Sequence, residues 1–260
     1  MILKRFLGQT AKATSKKNIL TPPQTVIYAV GDIHGRADLL EKLLCHIHEH
    51  RQNRPNHHAF LVFIGDYVDR GMESKDVIDL LLESIPPNIE PIFLKGNHEA
   101  MLLQFMHEAN PDYAAAWLAN HSGGLATLYS YGVGIDMASA QSEDYWRDRS
   151  AFLQEKMPAN HLAFFQKLKT MHQMGDYLFV HAGIRPGLPL TQQTENDLLW
   201  IREPFLSDSR DHGLMVVHGH TIGEKPLLLN NRIAIDTGAF ATGRLTCLVL
   251  EGESRQFIAA

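Results

Sequence analysis

The sequence predicts an α/β domain of βαβ units around a largely parallel sheet. Short apolar, β-branched runs alternate with stretches whose apolar residues recur at helical spacing. Each of the first three runs ends in a glycine-centred polar loop. These loops recur at the interval of one strand–helix unit: Asp32 and Asp66 lie 34 positions apart, Asp66 and Asn97 31.

Residues 26–30 (VIYAV) form an unbroken apolar run closed by Gly31, the pattern of a buried strand. Residues 37–50 set Leu39, Leu40, Leu43, Leu44 and Ile47 on one side of a helix. Residues 59–64 are the second strand, closed by Gly65. Residues 74–83 are the second helix, with the Ser74 hydroxyl as its N-cap. Residues 91–94 and 99–108 supply the third strand and helix. This order gives βαβ units, and hence parallel neighbours. Later strands are expected at 177–180, 214–217, 232–235 and 245–250. Residues 110–175 read as a helical insertion over the strand ends, with an amphipathic stretch at 160–171.

Composition narrows the class. The 260 residues are 45% apolar and 20% charged, which suits a folded domain and excludes wholesale disorder or a collagen-like fibre. A formal charge of −5 disfavours a phosphate backbone as a stable partner. Two cysteines, Cys45 and Cys247, are too few for a disulfide framework. They read as packing residues and point to the reducing cytoplasm. No apolar run approaches the ~20 residues of a membrane span. Residues 1–24 read as a flexible basic tail, carrying Lys4, Arg5, Lys12, Lys16 and Lys17. Residues 25–260 then form a single domain.

The chemistry gathers where strands end. The loops are Gly31-Asp32-Ile33-His34-Gly35, Gly65-Asp66-Tyr67-Val68-Asp69-Arg70-Gly71 and Gly96-Asn97-His98-Glu99. Two later strands run into His181-Ala182-Gly183 and His218-Gly219-His220. In α/β sheets ligands bind beyond the carboxyl ends of strands, so these loops converge. Carboxylates, imidazoles and a side-chain amide suit hard to borderline divalent metals, with manganese, iron and zinc as candidates. The absence of thiolates from the set weighs against a structural zinc site. A carboxylate on the middle strand is placed to bridge two ions, which together can clamp the oxygens of an in-line displacement at phosphorus.

These five motifs, in this order, resemble the phosphoprotein-phosphatase (PPP) branch of the calcineurin-like metallophosphoesterases across residues 26–250. The ending Ile235-Asp236-Thr237-Gly238-Ala239 resembles the small bacterial members. The resemblance implies a mixed sheet or β-sandwich flanked by helices and a two-metal centre, manganese first among the ions. Asp32 and His34 would bind the first ion, Asp66 would bridge, and Asn97, His181 and His220 would bind the second. Asp69 would orient His98 as the acid that protonates the leaving oxygen, while a metal-bound hydroxide attacks directly. Arg70 and Arg202 would grip phosphoryl oxygens.

An isolated aspartate or asparagine after a strand more often shapes a turn; it is the convergence of all ligand types that favours metal binding. His46, His48, His50, His57 and His58 read as solvated surface, and His218 stays outside the ligand set. The main functional reading is a serine/threonine, or dual-specificity, protein phosphatase acting on a phosphorylated protein. The alternative is a pyrophosphohydrolase of nucleotide substrates, such as dinucleoside polyphosphates or a pyrophosphate-capped RNA end. A non-catalytic scaffold is disfavoured because no matched ligand is missing. The insertion aromatics Tyr113, Trp117, His121, Tyr129, Tyr131, Tyr145 and Trp146 could stack on a base, but packing is the preferred reading. Composition leaves the oligomeric state open.

Overall fold

The computed structural model describes residues 18–119, 121–136, 138–140 and 142–260. The chain begins in βαβ order with β1 (Thr25–Val30), α1 (Ala37–Gln52), β2 (His58–Phe63), α2 (Ser74–Glu83), β3 (Glu90–Phe93) and α3 (Asn97–His107). Helices α4 (Pro111–Leu118), α5 (Gly124–Ser130), α6 (Glu143–Lys156) and α7 (Ala159–Gln166) form the insertion. There follow β4 (Met171–Met174), β5 (Tyr177–Val180), α8 (Glu195–Trp200), β6 (Met215–His218), β7 (Leu227–Leu228), β8 (Arg232–Ala234), α9 (Ala239–Thr242), β9 (Thr246–Glu251) and β10 (Ser254–Ala259).

The strands build two five-stranded mixed sheets, ordered β10-β9-β1-β2-β3 and β4-β5-β6-β8-β7. In the first, β1, β2 and β3 run parallel, β9 is antiparallel to β1, and β10 is antiparallel to β9. In the second, β5, β6 and β8 run parallel between antiparallel edges. The sheets pack face to face: Ile27, Ala29, Val62, Ile64 and Leu248 meet Phe179, Val217, Ile233 and Ile235. The outer face of the first sheet, with Val26, Tyr28, Val30 and Phe63, lies under α1, α2, α3 and the insertion. That of the second packs Leu178, Val180 and Val216 against Leu198, Ile201 and Phe205. Side chains of a strand alternate between faces, so a strand covered on both faces has no polar position; hence the run VIYAV.

The sheets are mixed rather than largely parallel, because β9 returns antiparallel beside β1. Three edge strands, β4, β7 and β10, have no counterpart among the sequence expectations, and β4 lies inside the range read as insertion. An edge strand keeps much of its surface in water, so it lacks the apolar run that marks a buried one. Ser74 begins α2 without capping it; its buried hydroxyl accepts from the Asp69 amide instead. Cys45 is exposed rather than packed, whereas Cys247 is buried. His50 and His57 are half-buried and engaged, His50 with the Tyr28 hydroxyl at 2.9 Å and His57 with Glu251 at 3.1 Å.

Residues 1–17 lie outside the described chain. Residues 18–24, read with the tail, bond to the body: the Gly252 amide donates to Thr21 Oγ1 at 2.8 Å, and the Asp176 amide to the Leu20 carbonyl at 3.0 Å. No described helix is long and apolar enough to cross a membrane.

Candidate active site

Every parallel strand of the sandwich ends at one pole. Asp32 follows β1, Asp66 follows β2, Asn97 opens α3 after β3, His181 follows β5 and His220 follows β6. The first two loops are zipped together, since the Ile33 and His34 amides both donate to the Asp66 carbonyl, at 3.0 and 2.9 Å. The second and third loops are joined by Glu99. Its fully buried carboxylate accepts from the amides of Tyr67 (2.7 Å), Gly96 (2.8 Å), Asp66 (2.9 Å) and Val68 (3.3 Å). Gly96 is required by this approach: a Cβ there would lie 2.1 Å from Asp66 Oδ1.

Several of the site's residues have an unfavourable backbone. His34, Asp66, Asp69, Arg70 and His220 all have φ between 48° and 72°, the left-handed region that costs a non-glycine residue on the order of 1–3 kcal/mol. Only Gln24 and Asn88 share this conformation elsewhere among the described non-glycine residues.

The predicted ligands His34, Asp66, Asn97, His181 and His220 come together, while Asp32 falls in neither of the two close groups of candidate ligand atoms. Asp66 Oδ2 lies 3.4 Å from Nε2 of both His34 and His181, and 3.8 Å from His98 Nε2. Asn97 Oδ1 lies 2.8 Å from His181 Nε2 and 2.8 Å from His220 Nδ1. The far nitrogens of His34 and His181 are anchored on the Val68 and Ile64 carbonyls, which aims each Nε2 at the centre. Asp32 Oδ2 accepts from the His220 amide at 3.0 Å, while Oδ1 is buried with no hydrogen-bond partner.

A divalent metal fits these residues. Potential ligand atoms of His34, Asp66 and His98, and of Asp66, His181 and His220, cluster within 4.8 Å in each group. Burial, reinforced by Asp236, pushes the Asp32 carboxyl well above its ordinary range. Burial also raises Asp236 itself. Burial works against ionisation of Asp66, but His181, His98 and His34 overcome it and hold that carboxyl well below its ordinary range. Burial lowers His34, and it pushes His220 down to about 3, so both rings are neutral donors. His181 is pushed up to about 10, the pull of Asp66 outweighing burial. Crowded buried carboxylates, an orphaned Asp32 oxygen and neutral imidazoles are the donor set of a cation site.

His98 Nδ1 donates to Asp69 Oδ2 at 2.7 Å. Burial opposes its protonation, but Asp66 and Asp69 raise its pKa above the usual value. Arg70 lies over the Phe240 ring, 4.5 Å from its centroid, and Phe240 also meets the His34 ring edge-on. A cavity of about 580 Å³ opens above, lined by Asp66, Arg70, Asn97, His98, Met101, Ala116, His121, Ser122, Trp200, Arg202 and His220. Exposed Arg202 bonds Thr221 Oγ1 at 3.2 Å. His218 stays apart, buried against Arg232 and Phe205.

Sequence reasoning missed several residues here. Glu99 had no assigned role, although a glutamate at the third position of a helix has capping-box spacing. Trp117 packs as expected, fully buried, and its Nε1 also donates to Asp69 Oδ2 at 2.8 Å. Thr127 donates to Asp69 Oδ1 at 2.5 Å. Phe240 and Thr127 carried no sequence signal. Of the other insertion aromatics, Tyr131 and Trp146 are buried, Tyr129 is exposed, and only His121 lines the cavity.

The calcineurin-like phosphoesterase family model matches residues 25–235, and the chain belongs to that family. It is 28% identical over 235 residues to the asymmetrical bis(5'-nucleosyl)-tetraphosphatase PrpE of Anoxybacillus flavithermus, covering 84% of this chain and 88% of that protein. The protein of the same name from Bacillus thuringiensis is 26% identical over 238 residues, with the same coverage. A crystal structure described as a candidate diadenosine tetraphosphatase superposes with a TM-score of 0.63 at 20% identity, covering 93% of this chain and 96% of that one, and so shares the fold.

Glu99→Gln is expected to lower stability by about 2–4 kcal/mol, because an amide NH₂ would face backbone N–H groups that now donate to a carboxylate. A urea melt checks this; an unchanged midpoint would show that Glu99 does not tie the loops.

Proposed function

We propose that this chain is a two-metal hydrolase that cleaves dinucleoside tetraphosphates asymmetrically. Asp32 and His34 hold one ion, Asp66 bridges, and Asn97, His181 and His220 hold the other, with manganese as the first choice. Two bound ions supply an activated water and charge neutralisation at phosphorus. The chain's own groups do the rest. Arg70 and Arg202 grip the phosphate oxygens. His98, fixed through Nδ1 on Asp69, presents a proton at Nε2 to the leaving phosphate oxygen.

The observation that carries the substrate reading is Trp200. Its ring is 41% exposed, lines the cavity beside Arg202, and stands edge-on to His220 with centroids 6.3 Å apart. An open indole next to two phosphate-binding arginines is a platform for a base whose phosphates reach the centre. The names of the relatives agree with this reading. The second reading is a protein phosphatase of the PPP branch, which the five-motif set resembles.

The test is product analysis with the manganese-loaded protein. Diadenosine tetraphosphate is expected to give ATP and AMP; an untouched dinucleotide beside rapid phosphate release from a phosphothreonine peptide would overturn the substrate reading. Trp200→Ala is expected to raise KM for the dinucleotide about 5- to 150-fold, the equivalent of ~1–3 kcal/mol of base stacking. An unchanged KM would remove Trp200 from the nucleoside site.

A further inference from the structure

We propose that the α4–α5 part of the insertion is a buttress for the proton donor, in which Trp117 and Thr127 are positioning residues that set His98 by fixing Asp69. Asp69 is fully buried and stands at φ 72°. Its carboxylate is held from the insertion on both oxygens. Trp117 Nε1 donates to Oδ2 at 2.8 Å, and Thr127 Oγ1 donates to Oδ1 at 2.5 Å. Its amide is held as well, donating to Thr127 Oγ1 at 2.8 Å and Ser74 Oγ at 3.1 Å. The next residue, Arg70 at φ 67°, donates its amide to the Gly123 carbonyl at 3.1 Å. Two consecutive left-handed residues are thus gripped by one stretch of insertion.

The consequence falls on His98. A carboxylate that accepts only one bond turns about its side-chain torsions, and the imidazole turns with it. With Oδ1 and Oδ2 both fixed, the His98 Nδ1–H has one direction in which to point, and Nε2 is left facing the centre, 3.8 Å from Asp66 Oδ2. Outer partners of this kind orient the reacting imidazole, and their loss typically costs about 10–100-fold. Packing does not account for the tryptophan. Its ring meets Phe105 at 4.9 Å within the core, a contact that phenylalanine also makes, but only an indole N–H reaches Asp69. Gly124 is shaped to admit it: a Cβ there would lie 2.5 Å from the indole.

This inference rests on the reading of His98 as the acid in phosphoester hydrolysis, and not on the identity of the substrate. The experiment is a double-mutant cycle with the full, manganese-loaded chain, on whichever of diadenosine tetraphosphate and the phosphothreonine peptide the wild type turns over. Trp117→Phe and Thr127→Val are each measured alone and combined with His98→Asn. Melting temperatures identify any variant that fails to fold; the other then carries the test. Each single variant is expected to lose about 10- to 100-fold in kcat with little change in KM, and to lose nothing further once His98 is gone. An equal additional loss in the His98→Asn background would make the two residues merely structural. Full activity of both beside a crippled His98→Asn would overturn the positioning role alone. Full activity of His98→Asn would overturn the acid assignment and the positioning role together.

Discussion

The buried carboxylate of Glu99 is the constraint on which the site depends. Four backbone amides from two loops point at it. With burial acting first and Asp66 second, its pKa is pushed up to about 7, so it sits in the fold at a cost that only those amides offset. In return it fixes the start of α3 and the loop after β2 in one piece. Asp66, His98 and Asp69 then have defined places, and the left-handed backbone at Asp66, Asp69 and Arg70 persists because the surroundings over-determine it.

The sandwich behind this point explains why ligands from both halves of the chain meet. Its two sheets share an apolar seam, and the parallel strands of each run toward the same pole. The seam delivers Asp32, Asp66 and Asn97 from one side and His181 and His220 from the other. What gathers there is a crowd of buried polar groups: the carboxyls of Asp32, Asp66 and Asp236 meet the rings of His34, His181 and His220, and Asp32 Oδ1 has no hydrogen-bond partner. Oxygen and imidazole donors this close together suit a divalent cation, which is why the set reads as a candidate metal centre rather than as turn residues.

Much of this was legible in the sequence, and the reason is local. VIYAV is a strand covered on two faces, and each of the first three strands runs into a loop in which a glycine precedes a candidate ligand, so both strand and candidate ligand show as short-range patterns. What was not legible depends on partners distant in sequence. Edge strands β4, β7 and β10 exist because a neighbour offers hydrogen bonds, not because their residues demand it. Trp117, Thr127 and Phe240 act on Asp69, Arg70 and His34 from 48 or more positions away, and nothing in their own segments marks them. Trp200 sat beside a candidate arginine, yet only its exposure in the cavity distinguishes it from a core tryptophan such as Trp146.

The most direct test of the central claim, one bridging carboxylate at the convergence of three loops, is the metal content of the wild type and of Asp66→Asn after manganese loading and desalting. Two ions per chain are expected in the wild type, and the loss of both in a folded Asp66→Asn, since that substitution strikes both proposed positions at once. Two retained ions in the variant, or a single ion in the wild type, would contradict it.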